Sequence, residues 1–289
     1  MEIILQQLVN GLSEASVIIL IGMGITIIFG LTGIINFAHG EFLMVGGMVT
    51  WFLVSHSVGY VPALLLSAVA VGVLGLATER GLFRFTLSRP MNGFIVSLGL
   101  IVILQHVVIR IWNSNQKSIP DPIGGVWQVG GVRIIVMRAV VMAVAAAAVA
   151  LTFFAISNSR YGLALRASIA DQETATLMGI PVRRYIMAVF VYGSFLAGLG
   201  GGLMIALYPI TAFIGSIVVV KGFAVALMGG LGNVAGAVIA GLILGLLDAV
   251  SAGYGAPQWI DAYAFAMMII VLVISPHGLL GGTEGPKSV

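Results

Sequence analysis

The sequence predicts an all-α, polytopic membrane protein. Hydrophobic residues make up 60% of its 289 residues and charged residues only 8%, whereas soluble domains average about 25% charged residues. Several apolar runs reach the roughly 20 residues that a helix needs to cross a bilayer. Because backbone polar groups in lipid must be satisfied within the segment, such runs form helices. We predict about eight spans, some of them broken or re-entrant.

Nine segments are candidate spans. They cover residues 11–31, 41–57, 61–79, 93–112, 134–156, 186–208, 215–231, 234–252 and 259–275. Some are short or interrupted by glycine, and these are candidates for half helices. No polar stretch is long enough for a soluble domain, so residues 1–289 are predicted to form a single transmembrane domain. The loop 113–133 predicts turns and a short hairpin around Val126–Val132.

The placement of Lys and Arg predicts the orientation. One side of the membrane receives Arg80, Arg84, Arg89, Arg160, Arg166, Arg183, Arg184 and Lys287, and the opposite side receives Arg110, Lys117, Arg133 and Arg138. Cytoplasmic loops carry the excess of basic residues. We therefore expect the N-terminus outside the cell and the C-terminus in the cytoplasm.

Several kinds of chemistry are missing from the sequence. Without cysteine it has no disulfides and no thiolate metal sites. It contains no Gly-x-x-x-x-Gly-Lys-Ser/Thr phosphate loop, no zinc-ligand spacing and no serine elbow. A basic stripe of the kind that binds nucleic acid is also missing. We expect no enzymatic activity, no cofactor and no metal, so any energy source must be a partner subunit or an ion gradient.

The segment from Asn36 to Glu41 is the first candidate functional site. Asn36, His39 and Glu41 are polar residues in an otherwise apolar region, and ionisable groups within a membrane usually face a cavity or a partner. One interpretation is a discontinuous helix that lines a translocation path. The other is a solvated loop at the cytoplasmic surface.

The second candidate is the later span that carries Lys221 and the glycine-rich break Gly229–Asn233. Lys221 extends to the membrane surface, faces the pore, or pairs with an acid, for which Glu41 and Asp248 are candidates. The break resembles Gly30–Gly33 in composition. Both breaks follow a pass in the same direction, so they indicate either a parallel repeat or chance similarity between glycine-rich sequences. Rows of small residues, such as Gly241 and Gly245, predict close helix packing.

The third candidate is the polar segment 158–185. Asp171 is a suitable N-cap for a helix over Gln172–Met178, Gly179 suits the position after the helix, and Pro181 stops it. Such a short helix is marginal unless it docks on a surface. That surface is either the membrane interface or a groove in a soluble partner, in which case Leu177 is the main apolar contact.

The whole chain resembles LivH-type branched-chain amino-acid permeases of bacterial ABC importers. The resemblance rests on motifs that occur in the family's order: Gly30-Leu-Thr-Gly-Ile-Ile-Asn-Phe-Ala-His-Gly-Glu41, Arg160-Tyr-Gly-Leu-Ala-Leu-Arg166, Ala170-Asp171, Met178-Gly-Ile180, Lys221-Gly-Phe, Leu227-Met-Gly-Gly-Leu-Gly232, Gly236-Ala237 and Pro276-His-Gly-Leu-Leu-Gly281. Each motif is weak alone, and together they are specific.

The resemblance implies a location and a set of partners. The chain would lie in the bacterial cytoplasmic (inner) membrane beside a second permease subunit, either LivM-like or identical. Two cytoplasmic ATP-binding subunits and an extracytoplasmic substrate-binding protein would complete the importer. Branched-chain or related hydrophobic amino acids are the implied substrates, moved by ATP-driven alternating access. An ion-coupled secondary amino-acid carrier is the alternative.

The implied site residues fall into two groups. The substrate pathway is predicted to include Asn36, Phe37, His39, Gly40, Glu41, Lys221, Gly230, Gly232 and Asn233. The coupling segment 158–185 is predicted to contact an ATP-binding subunit through Arg166, Asp171, Glu173, Leu177, Gly179 and Ile180.

Overall fold

The computed structural model describes residues 2–129, 132–254 and 257–281, and this part of the chain is a bundle of helices. Lys287, which entered the orientation argument, lies outside the described residues. Six helices in the described part are long and apolar enough to cross a membrane. A polytopic helical fold is therefore confirmed, while the count of about eight crossings stays a prediction.

All nine predicted segments coincide with helices. The α-helices of the described residues are α1 (Glu2–Thr32), α2 (His39–Ser55), α3 (Tyr60–Gly81), α4 (Pro90–Trp112), α5 (Val136–Asn158), α6 (Arg160–Ala170), α7 (Gln172–Leu177), α8 (Val182–Met204), α9 (Ile214–Gly229), α10 (Val234–Tyr254) and α11 (Ile260–Ile274). The hairpin is also present: β1 (Val126–Val129) pairs antiparallel with β2 (Val132–Ile135). Among the helices that match predicted spans, α2, α9 and α11 are the shortest, with 17, 16 and 15 residues.

Helix α1 lies at the centre of the bundle. Its most apolar stretch is 89% buried, whereas the corresponding stretches of α4 and α5 are each 22% buried. The outer faces of α3, α4 and α5 expose Val73, Val102 and Phe154. Apolar side chains on the outside of a bundle are what a lipid environment requires.

Small residues allow the central helices to approach closely, as their spacing predicts. A Cβ atom on Gly46 of α2 would lie 2.5 Å from the carbonyl oxygen of Gly198 on α8. Gly241 and Gly245 of α10 lie against Ile19 and Ala15 of α1. Since lipid provides no hydrophobic drive between helices, this close van der Waals packing is the main force that holds them together.

The contacts show an inverted repeat rather than a parallel one. Helix α1 runs antiparallel to α8, because Gly24 lies near Gly193 while Leu20 lies near Gly200. In this repeat, α1 is equivalent to α8, α2 to α9 and α3 to α10. The contact of α8 with α3 then corresponds to that of α1 with α10, and both pairs are antiparallel. Each short helix, α2 or α9, follows a non-helical segment, 33–38 or 205–213.

Candidate functional site

The chain turns back into the bundle between α1 and α2. Helix α1 ends at Thr32, and regular helix resumes only at His39. The Asn36 side-chain oxygen accepts a hydrogen bond from the backbone N–H of Ala38 at 3.0 Å. His39 lies against Gly24, which is about 12 Å from the end of α1 at 1.5 Å per residue. Helix α2 therefore begins inside the bundle.

The polar residues of this segment are buried. His39 and Glu41 are 0% exposed and Asn36 is 4% exposed. The interpretation of a solvated surface loop is therefore wrong, because the backbone turns inward before His39. The discontinuous helix is the arrangement present, and its role in a substrate path stays a prediction.

Glu41 joins three helices. One carboxylate oxygen, Oε1, accepts a hydrogen bond from Gln105 Nε2 of α4 at 2.9 Å and from Ser216 Oγ of α9 at 3.0 Å. Gln105 also donates to Ser216 at 2.9 Å. Gly40 lies directly against the carbonyl of Gly215. The N-termini of α2 and α9 thus meet at Glu41, where their helix dipoles favour a negative charge.

Several buried polar atoms beside this junction have no hydrogen-bond partner among the described residues. They are Asn36 Nδ2, both ring nitrogens of His39, and Glu41 Oε2. The crevice between His39, Asn36 and Ile28 is too narrow to admit water. An unsatisfied buried polar group costs about 1–3 kcal/mol. A conformation that exposed these atoms to water or to a polar ligand would recover that free energy.

Phe37 connects the same segment to α4 and α9. Its backbone N–H donates to Ser97 Oγ at 3.2 Å, and its ring lies 5.6 Å from that of Phe94 and 4.6 Å from that of Phe223. Ser97 and Phe94 belong to α4, most of which faces outward. This group of contacts and Gln105 are thus among the points at which α4 is attached to the bundle.

Lys221 lies in a different cluster. Its Nζ is 2.8 Å from Asp248 Oδ2 and 3.2 Å from Asp261 Oδ1. Asp248 is 1% exposed, while the Asp261 side chain is 65% exposed. Of the two acids considered for Lys221, the structure selects Asp248. Asp248 is buried because α10 packs it against α9.

Gly230, Gly232 and Asn233 form the tight turn between α9 and α10, at the end of the bundle where α1 ends. Gly30 approaches so closely that a Cβ on it would lie 2.8 Å from the Gly232 Cα. Asn233 donates to the Leu280 carbonyl at 2.6 Å and accepts from Gly236 N–H at 3.0 Å. The structure does not bring this turn together with Glu41 or Lys221.

The coupling segment contains two successive short helices, α6 and α7. Arg166 donates to the Ile156 carbonyl at 2.9 Å and so ties α6 to the end of α5. Asp171 caps α7 by accepting from the backbone N–H groups of Glu173 and Thr174 at 2.9 and 3.0 Å. The predicted N-cap is confirmed, and the helix ends at Leu177, one residue before the predicted end.

The end of α7 is also fixed by local hydrogen bonds. Gly179 has φ +83°, and its N–H donates to the Thr176 carbonyl, while Ile180 N–H donates to the Ala175 carbonyl. This is a Schellman motif, in which glycine adopts the left-handed conformation without strain. Ala175 is 4% exposed, whereas Leu177 is 82% exposed. The helix is therefore held rigidly with one apolar side facing away from the bundle.

Sequence reasoning missed Gln105, Ser216 and Ser97. Gln105 is a strongly polar residue within the predicted span 93–112, and this alone could have marked it. Nothing in the sequence distinguishes Ser216 and Ser97 from the other serines, because their role depends on the contact of α4 and α9 with the break before α2.

Comparisons with known proteins agree with this architecture. Residues 7–272 match the family described as branched-chain amino acid transport system, permease component. The high-affinity branched-chain amino acid transport system permease protein LivH of Escherichia coli (strain K12) is 34% identical, with 98% of this chain and 97% of LivH covered. BraD of Pseudomonas aeruginosa, which carries the same description, is also 34% identical, with 98% and 97% covered.

A more distant relative and one solved structure extend the comparison. The probable branched-chain amino acid transport permease protein LivH of Methanocaldococcus jannaschii is 25% identical over 92% of this chain. The structure of PsaBC from Streptococcus pneumoniae in complex with Fab has a TM-score of 0.52 and 13% identity, and covers 93% of this chain and 91% of that chain. At that identity it shows the fold alone. The family match and the relatives at 34% identity show that this chain belongs to the family of branched-chain amino acid transport permease components.

Proposed function

We propose that this chain is the membrane-spanning permease subunit of an importer for branched-chain amino acids, driven by ATP hydrolysis in partner subunits. The observation that carries the proposal is the 34% identity to LivH, which extends over 98% of this chain and 97% of LivH. The importer would also contain a second permease subunit and an extracytoplasmic binding protein, in the cytoplasmic membrane of a bacterium.

The coupling segment supports the proposal of an ATP-binding partner. Leu177 and Met178 are 82% and 79% exposed at the tip of α7. Leu177 ends this helix of six residues and Met178 follows it, so the two exposed apolar side chains form a small contact surface for a groove. Tyr161 and Leu163 of α6 are also exposed, and they enlarge the apolar surface on the same segment. The partner proposed for this surface is an ATP-binding subunit in the cytoplasm.

The junction at Glu41 supports the proposal of a substrate path. Hydrogen bonds from Gln105 and Ser216 to Glu41 close the contact between α2, α4 and α9. Movement of α4 would break the Gln105 bond and expose the unpaired polar atoms near His39. The substrate's ammonium group would then have the Glu41 carboxylate as a partner. Helix breaks near the middle of the membrane serve this purpose in many transporters.

The experiment that tests the proposal is reconstitution with the ATP-binding subunits, the second permease and the binding protein. We expect leucine uptake into proteoliposomes that requires ATP and survives an ionophore. Leu177→Asp places a charge in the apolar contact, where no partner offsets its desolvation. This variant should insert normally but lose at least tenfold in ATP-driven uptake.

Thr176→Asp is the matched control, because Thr176 is exposed and lies one residue away from Leu177 on α7. We expect Thr176→Asp to reduce uptake much less than Leu177→Asp does. Uptake abolished by the ionophore but not by removal of ATP would instead support an ion-coupled carrier. Full assembly and full uptake with Leu177→Asp would contradict the coupling role of α7.

A further inference from the structure

A cavity lies at the end of the bundle opposite the coupling segment. Its volume is about 310 Å³, which is at the lower end of the roughly 300–1,000 Å³ typical of small-molecule sites. Three parts of the chain form it: residues 118–121, the end of β2 with the start of α5, and the turn 205–209 that follows α8. In the predicted orientation this end faces the outside of the cell.

Two opposite charges line the cavity, Asp121 and Arg138. Neither forms an ion pair within 4.0 Å among the described residues. Arg138 Nη1 is shielded from solvent and has no hydrogen-bond partner in the same part of the chain. Glu14 on α1 attracts Arg138 electrostatically, but the two side chains form no ion pair within 4.0 Å. The guanidinium is thus held in the wall without a carboxylate of its own.

The positions of both charges are fixed. Asp121 Oδ1 accepts hydrogen bonds from the backbone N–H groups of Ile123 and Gly124, at 3.4 and 3.1 Å. These bonds hold the carboxylate at the rim and leave Oδ2 for other donors. The guanidinium carbon of Arg138 lies 5.9 Å from the centre of the Tyr208 ring. An aromatic face at this distance orients a cation without neutralising it.

Apart from Ser118 and Tyr208, the remaining side chains of the lining are apolar. Ile119, Met137 and Ile205 are each 7% exposed or less, so they form a wall that is anchored in the bundle. A cation, an anion and an apolar wall around one cavity match the three parts of an amino acid with an apolar side chain. A simple anion such as phosphate would use Arg138 but would be repelled by Asp121.

We propose that this cavity binds an amino acid with an apolar side chain before the amino acid crosses the membrane. Arg138 binds its carboxylate, for which the planar guanidinium offers paired donors. Asp121 binds its ammonium group, and Ile119, Met137 and Ile205 contact its side chain. The inference rests on the proposed function, since it assigns the same substrate class to a second place on this chain, separate from Glu41.

The test is photolabelling of the full chain in nanodiscs with a diazirine analogue of leucine, followed by peptide mass spectrometry. We expect labels within 118–121, 135–138 or 205–209, removed by excess leucine but not by leucinamide or 4-methylpentanoate, which each lack one charge. Arg138→Gln should reduce this labelling at least tenfold, and Arg138→Lys should reduce it less. Arg133→Gln is the matched control, because Arg133 lies on β2 outside the cavity lining.

Asp121→Asn provides a second variant, because Asp121 lies in an exposed loop and its substitution leaves the packing of the bundle intact. It should also reduce labelling at least tenfold. Labelling that is absent from the three segments, or unchanged in both Arg138→Gln and Asp121→Asn, would overturn the inference. Leucine uptake by the wild-type importer in proteoliposomes is measured separately. Uptake without cavity labelling would reject this site and leave the proposed function standing. Cavity labelling without uptake would support the site and reject the proposed function.

Discussion

Replacing Lys221 by Met should destabilise the protein strongly, because it leaves Asp248 as a buried carboxylate without its cation. Asp248 is 1% exposed, and its Oδ2 lies 2.8 Å from Lys221 Nζ. Removing one partner of a buried ion pair costs about 3–5 kcal/mol. At roughly 2–4 °C per kcal/mol for a chain of this size, the melting temperature should fall by about 6–20 °C.

Two further variants separate the buried contact from the exposed one. Asp261→Asn removes the contact at 3.2 Å, whose acid is 65% exposed, and such pairs contribute only about 0–1 kcal/mol. The double variant Lys221→Met with Asp248→Leu removes both buried charges and replaces them with apolar side chains, a change that is often neutral or stabilising. We therefore expect the single Lys221 variant to be the least stable of the three.

The assay is thermal unfolding of the purified chain in one detergent, followed by leucine uptake of the importer that contains each variant. A melting temperature of Lys221→Met within about 2 °C of wild type, or a double variant as unstable as the single one, would refute the reasoning. Uptake by a stable double variant decides the predicted role of Lys221. Normal uptake assigns it to packing, and lost uptake assigns it to the substrate pathway.

Two remaining predictions concern the substrate path and the orientation. Glu41→Gln weakens the acceptor that holds Gln105 and Ser216 together, and should lower leucine uptake at least tenfold while binding of the ATP-binding subunits is retained; normal uptake would remove Glu41 from the path. The chain has no cysteine, so Thr176→Cys should react with a membrane-impermeant maleimide only in inverted vesicles, and Ser114→Cys only in intact cells. The opposite pattern would reverse the predicted orientation.

Features that depend on neighbouring residues could be predicted from the sequence. The helix over Gln172–Leu177 is one example, since its cap at Asp171 and its end at Gly179 involve hydrogen bonds that span six residues or fewer. The apolar segments are another, because the bilayer sets their length whatever they pack against. In both cases the determining interaction is local or is with the solvent, so the sequence alone contains it.

The partners of buried polar residues could not be predicted in the same way. Lys221 had two plausible acids, Glu41 and Asp248, and only the packing of α9 against α10 decides between them. Glu41 is held by Gln105 and Ser216, which are 64 and 175 residues away in the chain. No local pattern encodes a contact between side chains on separate helices, since the helix crossing that creates it depends on the whole bundle.

The inverted repeat explains why the polar site lies where it does. The similarity of Gly30–Gly33 to Gly229–Asn233 suggested a parallel repeat, but these breaks follow α1 and α9, which the structural repeat does not pair. It pairs α2 with α9, and both begin inside the bundle with Gly40 against Gly215. Two helix N-termini at one point leave unpaired N–H groups and positive dipole ends. A carboxylate is the group that best stabilises such a point, and Glu41 supplies it there. We therefore expect that any path for a zwitterion through this chain opens at the contact between α2 and α9. There the ammonium group of the substrate pairs with Glu41, and the positive ends of the helix dipoles attract the carboxylate of the substrate.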